Sequence, residues 1–173
     1  MDIEKLQPHF DIVNTFKIRS TSSRCNVSGV KEIKEYGVLK RKKKIGHPIK
    51  SQSFGLNRKF IDQDLTPAVN NVKHPHIYKA LQEIAKIIDP NFSYVSITCN
   101  KNLEALPHRD KRNNGVSMCI AFGDFTGGGL YVEQEDGSFK LLDIHNKVHY
   151  FNGAKQTHYT EPFEGERWSL IYY

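Results

Sequence analysis

A chain of 173 residues and 19.9 kDa, 38% hydrophobic with a mean hydropathy of −0.56, is long enough for one ordinary core and too polar for a membrane bundle. No run approaches the roughly 18 consecutive apolar residues of a membrane helix, and the opening "MDIEKLQPHF" lacks the charged-then-apolar layout of a secretory signal, so a single intracellular domain over residues 1–173 is expected. Three cysteines, Cys25, Cys99 and Cys119, are odd in number and lack CxxC spacing, indicating neither a disulfide framework nor a thiolate zinc site, while a net charge of +6 favours anionic partners.

The first fifty residues scatter short apolar runs, "FDIVNTFKI" and "YGVLK", among polar and basic groups with no clean period, which predicts an irregular amino-terminal extension with short strands. Within it Lys40, Arg41, Lys42, Lys43 and Lys44 form a five-residue basic run, readable as a phosphate contact, a nuclear address or a solvated turn. Over residues 76–88, "HIYKALQEIAKII" places Tyr78, Leu81, Ala85 and Ile88 at three- and four-residue spacing, the stripe of an amphipathic helix ended by Asp89-Pro90. His74 and His76, in "KHPH", are spaced like ligands but flank a proline and have no evident partners.

Beyond Pro90 the texture is β. "FSYVSITCN", "GVSMCIAFGDF", "GGLYVEQ", "SFKLLDI", "VHYFNG" and "RWSLIYY" are short, β-branched or aromatic, and divided by Gly, Asn and Asp turn signals. Six strands in about eighty residues suggest a sandwich or barrel. In "GVSMCIAF", Val116, Met118, Ile120 and Phe122 alternate with Ser117, Cys119 and Ala121, so a central strand covered on both faces is expected. "DFTGGGL" supplies glycines able to take positive φ, and "EDGS" offers an Asp-Gly hairpin turn.

The chemistry concentrates late in the chain. In "LPHRDKRNNG" His108 and Asp110 are two apart, so in an extended segment they project from one face while Arg109 points away. Two ligands rarely hold a metal, and His145, His149 and His158 are the downstream candidates for a third. Two histidines and one carboxylate on one side of an iron leave open positions for a bidentate co-substrate and O₂. Arg167 and Ser169 are again two apart on an expected strand, a planar fork and a hydroxyl suited to a carboxylate. Trp168, between them, should face the opposite way and pack.

The "HRD", a histidine in "QTHYTEP" fifty residues on, and the following "RWS" resemble the Fe(II)- and 2-oxoglutarate-dependent dioxygenases, over residues 92–173. That resemblance implies a mainly β protein with flanking helices and a double-stranded β-helix, a jelly-roll, cupin-like core, over residues 91–173, with residues 1–90 as support and substrate side. It selects His108, Asp110 and His158 as the metal ligands and catalytic centre, with Arg167 and Ser169 on the far carboxylate of 2-oxoglutarate, and leaves His149 a structural role. Fe(II), 2-oxoglutarate and O₂ are the implied cofactors, with ascorbate as a supporting reductant.

"NKNLEALPHRDKRNNGVSMCIAFGDFTGGGLYV" resembles the TET/JBP-like thymine and methylcytosine hydroxylases and their viral and algal relatives, which implies a nucleic-acid base as substrate, DNA ahead of RNA. The "GDFTGGGL" turn equally resembles prolyl hydroxylases, keeping a protein or peptide substrate as the alternative. A basic nucleic-acid-binding module with no enzymatic activity is the third class. Asn100, beside Thr98 on one strand face, is a candidate for 2-oxoglutarate or substrate. Asn113, Arg58 and Arg109 are candidate substrate contacts, and Gln52 and Phe54, with Arg58 in "SQSFGLNRKF", are placed at the mouth.

Overall fold

Leu6, Phe10 and Val13 recur at four- and three-residue spacing, and in the computed structural model, which describes residues 2–38, 40–57, 64–111, 113 and 115–173, they form the buried stripe of a helix, α1 (Ile3–Asn14). The expectation of an irregular start with strands is therefore corrected over this stretch. Pro8, inside the helix but exposed, removes one backbone donor and weakens the local signal; burial of the stripe against a later helix supplies what local propensity lacks.

Short elements follow: β1 (Ser20–Thr21), a single helical turn α2 (Cys25–Ser28), a ribbon of β2 (Val30–Tyr36) and β3 (Arg41–Gly46), then β4 (Ile49–Asn57), β5 (Thr66–Pro67) and α3 (Val69–Lys73). The amphipathic helix expected over residues 76–88 is α4 (Pro75–Ile88), with Pro75 at its first turn, where the missing N–H costs nothing. Its buried face is Ile77, Ala80, Leu81, Ile84 and Ala85. Tyr78 and Ile88 lie at the margin of that face rather than on its centre line.

The remaining strands are β6 (Ser96–Lys101), β7 (Ser117–Gly127), β8 (Leu130–Glu133), β9 (Phe139–Leu142), β10 (His149–Phe151), β11 (His158–Thr160) and β12 (Phe163–Tyr172). All six expected β segments are strands, and β11 is one more. They build an antiparallel sheet in the order β1-β4-β6-β12-β7-β10, with β5 on β4, and a smaller sheet in the order β11-β8-β9. This is the expected jelly roll, and β7 is an interior strand as its two-sided pattern predicts.

The period-2 alternation of the larger sheet places the site. Ile97 and Cys99 on β6, Met118, Ile120 and Phe122 on β7, and Trp168, Leu170 and Tyr172 on β12 face α1 and α4 and form one core with them. The intervening residues, Thr98 and Asn100, Cys119, and Arg167, Ser169 and Ile171, turn to the opposite face and line a cleft. Between the sheets, Cys119, Ala121, Phe125, Leu130, Val132, Ile144 and Phe151 form a second apolar cluster. Trp168 packs as expected, 1% exposed, with its indole N–H donating to Asn14 Oδ1 at 2.9 Å.

Phe54, expected at the mouth, is fully buried in the first core, near Phe16 and Tyr78; its strand position puts it on the helix side of the sheet. Phe10 stacks on Phe122 with ring centroids 4.1 Å apart. Phe10→Ala should therefore lower unfolding stability by about 3–5 kcal/mol in urea titration. A loss below about 1 kcal/mol would show that α1 is not part of the cooperative core.

Candidate metal centre

His108 and His158 are bridged through their backbones, the N–H of each donating to the carbonyl of the other at 3.1 and 3.0 Å. Two residues on, Asp110 N–H donates to Gly153 O at 2.8 Å, so the HxD segment is pinned along β11 and the turn before it. Alternation then turns His108 and Asp110 to the side on which His158 lies. One ligand atom from each falls within 4.8 Å of the others. The Asp110 carboxylate sits between the rings, Oδ1 3.7 Å from His108 Nε2 and Oδ2 3.6 Å from His158 Nε2.

Each imidazole is held by its other nitrogen. His108 Nδ1 is 2.7 Å from Leu106 O and His158 Nδ1 is 3.0 Å from Gln156 O. A carbonyl only accepts, so both Nδ1 atoms carry the proton and both Nε2 lone pairs face Asp110, the arrangement that orients metal-binding histidines. Burial, and then the neighbouring His158 ring, hold His108 below the usual imidazole range. Burial raises the Asp110 carboxyl, but its polar neighbours, His158 Nε2 at 3.6 Å, His108 and the Arg24 guanidinium, outweigh it and leave it below its ordinary value. Two imidazole nitrogens and one carboxylate match the donor set of a non-haem iron site.

Arg167, on β12, is 2% exposed and lies across the cleft floor. Its Nε–H donates to Gly128 O at 2.9 Å, and the guanidinium stands 5.7 Å from the ring centroid of Phe125 and 5.4 Å from that of Phe163. Burial draws its pKa down to about 10, so it is charged at neutral pH. Among the described residues it has no ion-pair partner. A buried cation without a protein anion is costly, which suits the site to an anionic ligand.

The residues around it fit the same ligand. Ser169 accepts from Asn100 Nδ2 at 3.2 Å, and both line the cleft. Asn100 Oδ1 and Asn113 Nδ2 are buried without a hydrogen-bond partner, polar atoms that a bound molecule would satisfy. The GGG turn does more than reverse a strand. Gly128 has φ +71°, and a Cβ there would lie 2.9 Å from both Cδ and Nε of Arg167, so the second glycine makes room for the arginine's stem.

Of the sequence candidates, His108, Asp110, His158, Arg167, Ser169, Asn100, Asn113 and Thr98 line one cleft. Arg109 does not: it points outward, as the alternation required, and its guanidinium donates to Glu133 at 2.7 Å and Thr157 at 3.0 Å. Gln52 is engaged away from the cleft, with Asn70 and Arg19 O. Arg58 lies outside the described residues. His149 and His145 are held on the carbonyls of Asp143 and Gly123 at 2.9 and 3.1 Å, and His74 packs beside Phe16.

Three contributors escaped the sequence. Arg24 lines the cleft, donates to Ser51 Oγ at 2.9 Å and approaches Asp110 Oδ1 at 3.8 Å; an isolated arginine so far upstream bears no local signal. Asn102 braces β12, its Oδ1 accepting from Arg167 N–H at 2.8 Å.

Glu133 is the third. Its Oε2 accepts from Arg109, between the two ligands of the HxD segment, and from the backbone N–H of Thr157, next to His158, at 2.8 Å. Those hydrogen bonds, Thr157's first, hold its carboxyl down at about 2, so the tie stays charged at any ordinary pH. Glu133→Ala should weaken Fe(II) binding by roughly 10- to 100-fold, the usual effect of removing a residue that orients ligands. Calorimetric titration of Fe(II) under anaerobic conditions would read this; unchanged affinity would reduce Glu133 to a surface contact.

No protein-family model and no curated protein matches the sequence. Solved structures match the fold. NgTET1 in complex with 5mC DNA aligns with TM-score 0.52 and 17% identity over 70% of this chain, which spans 59% of that protein's length. An oxidoreductase of the 2OG-Fe(II) oxygenase family from Burkholderia pseudomallei aligns over 99% of this chain and 79% of its own, with TM-score 0.58 and 14% identity. OsALKBH1 covers 99% and 92%, with TM-score 0.51 and 9% identity. The two sheets and the crossing helices are thus those of known oxygenases, and the chain has the jelly-roll fold of the 2OG-Fe(II) oxygenases.

Proposed function

We propose that the protein is an Fe(II)- and 2-oxoglutarate-dependent dioxygenase that hydroxylates a C–H bond on a nucleic-acid base of the 5-methylpyrimidine type. The observation that supports this most is the sharing of one cleft by His108, Asp110, His158 and the buried Arg167, which has no ion-pair partner among the described residues. When bound, the metal with 2-oxoglutarate and O₂ supplies the oxidation, the keto acid leaving as succinate and CO₂ while one oxygen atom enters the substrate.

The protein's part is binding and orientation. His108, Asp110 and His158 would hold the metal, with both rings fixed by their Nδ1 bonds. Arg167 and Ser169 take the distal carboxylate of 2-oxoglutarate, and Asn100 shares its polar contacts with Ser169. Arg24 adds a second positive charge beside Asp110, which offsets the carboxylates that the metal alone would not balance. Asn113 lines the same cleft, and its buried Nδ2, which has no hydrogen-bond partner, supports reading it as a substrate contact.

A base as substrate is supported by the chain's positive charge and by a shared fold with NgTET1, whose structure was solved with 5mC DNA. The target base must be presented outside the duplex stack or in a single strand. The test incubates the iron-loaded protein with 2-oxoglutarate and pools of DNA, RNA and peptides, following succinate and searching each pool for an added oxygen by mass. Oxygen is expected in DNA. Oxidised peptide beside untouched nucleic acid would instead establish a protein hydroxylase, and absence of Fe(II)-dependent succinate in every pool would refute the enzymatic reading.

A further inference from the structure

The β2–β3 ribbon is the most unusual feature outside the cleft. It pairs with no other strand among the described residues, all of β2 is exposed, and so are Arg41, Lys42, Lys43 and Lys44 on β3. Residues 30–46 hold seven cations, Lys31, Lys34, Lys40, Arg41, Lys42, Lys43 and Lys44, against two carboxylates, Glu32 and Glu35. Five of the chain's six net positive charges therefore sit on this one ribbon. The rest of the molecule is almost neutral.

Its internal pairing does not neutralise that charge. Lys34 is 3.2 Å from Glu32 and Lys42 is 3.8 Å from Glu35, while the other five cations have no ion pair among the described residues. Lys34 and Lys43 stand directly opposite each other in the register, a like-charge pair that destabilises a ribbon in isolation. Two-stranded hairpins are marginal in water to begin with, and Ile33 and Tyr36 are 57% and 51% exposed on it. An anionic partner lying along the ribbon would relieve the repulsion.

The root of the ribbon lies at the rim of the cleft. Gly46 N–H donates to Ser22 O at 2.9 Å, and a Cβ on Gly46 would come within 2.5 Å of Ser28 Oγ, so β3 ends tightly against α2. On the other side of the same turn, Val27 O accepts from Leu106 N–H at 2.9 Å, two residues before His108, and Arg24 and Val27 both line the cleft. Six residue pairs at about 3.4 Å give a ribbon of about 20 Å, which meets a charge about every 1.7 Å along duplex DNA.

We infer that the β2–β3 ribbon is the polynucleotide-binding arm of this protein, gripping the phosphodiester backbone beside the nucleotide that enters the cleft. This rests on the base-oxidising reading and identifies the substrate as a polymer rather than a free nucleotide or a peptide. The phosphates contribute affinity and registration, and base selection is left to the cleft.

The test uses the full chain with Arg41→Gln, Lys43→Gln and Lys44→Gln combined, none of which lines the cleft, and a second protein with Arg41→Lys, Lys43→Arg and Lys44→Arg, which keeps the charge. Binding to a 20-base-pair duplex and to its single strands is followed by fluorescence anisotropy across a salt series. The neutral variant should bind at least about tenfold more weakly near 0.1 M salt, with a slope of log K against log salt shallower by up to about 3, at about 0.9 for each phosphate no longer neutralised. The charge-keeping variant should match the parent, and 2-oxoglutarate turnover without nucleic acid should be the same in all three.

Equal affinity and slope in the parent and neutral variant would overturn the assignment even if DNA is oxidised. So would a parent that ignores DNA and binds vesicles of anionic lipid. Ribbon-dependent DNA binding together with oxidation of peptide alone would leave the ribbon a DNA contact but overturn its role beside a nucleotide in the cleft, and with it the base-oxidising reading.

Discussion

Asp110→Ala should bring Fe(II)- and 2-oxoglutarate-dependent succinate release to background. The carboxylate lies between the two Nε2 atoms and is the one anionic ligand of the set, so its loss leaves two imidazoles, and metal affinity should fall by more than the roughly 10- to 100-fold expected for orienting residues such as Glu133. Folding should survive. Asp110 is partly exposed, its backbone bond to Gly153 is unaffected, and the two imidazoles stay fixed by Leu106 and Gln156. The check is paired: succinate by mass spectrometry and thermal unfolding without metal. Turnover near the parental rate in a folded Asp110→Ala protein would remove the triad from the mechanism.

Arg167→Ala should act on the co-substrate instead. A charge-assisted hydrogen bond is worth about 1.5–3 kcal/mol, and at about 1.4 kcal/mol per tenfold the apparent affinity for 2-oxoglutarate should drop roughly 10- to 150-fold. Fe(II) binding should stay close to parental. Arg167→Lys should recover only part of the loss, because an ammonium cannot reproduce the planar fork or the Nε bond to Gly128. Arg167→Met gives the opposite sign in a different measurement. It removes a buried cation that has no counter-ion among the described residues, so the ligand-free protein should be no less stable, and saturating 2-oxoglutarate should cease to raise its melting temperature. A Met variant whose melting temperature still rises with 2-oxoglutarate as in the parent would place the keto acid elsewhere.

These two substitutions divide the site as the strands do. Asp110 belongs to a loop that becomes a ligand only by lying along β11, and Arg167 belongs to a continuous strand whose alternation aims it into the cleft. The alternation was legible in one dimension. "RWSLIYY" places Arg167 and Ser169 on one face and Trp168 on the other, and the packing of Trp168 against Phe122 follows. The same rule separates Arg109 from His108 and Asp110, and it is the reason that Arg109 meets Glu133 rather than the cleft.

Where local pattern misleads, the deciding interactions are distant in the chain. The helix at residues 3–14 has a proline and only three core positions, too little for local propensity, and it is secured by α4 and by Phe122 on β7. Phe54 reads as a mouth residue by its place before the core strands; the face it occupies depends on the register of β4 with β6. Arg24 joins the site by approaching Asp110 from far upstream, and Glu133 by bonds with Arg109 and Thr157, each 24 residues away, and no spacing rule connects them.

Residue spacing alone made legible the ligand types and the opposite faces of Arg167, Ser169 and Trp168 on β12, because side-chain direction in an extended chain is a property of neighbouring residues; the strand that bears His158, β11, was not among the expected segments. The resemblance to the dioxygenases singles out His158 over His145 and His149, but the assembled fold is what brings it against His108 and Asp110, buries Arg167 with no ion-pair partner among the described residues, and stands the basic run on a ribbon that pairs with no other described strand at the cleft's rim. Each of those depends on which segments are brought together across the sheets, and that is set by burial and register over the whole chain.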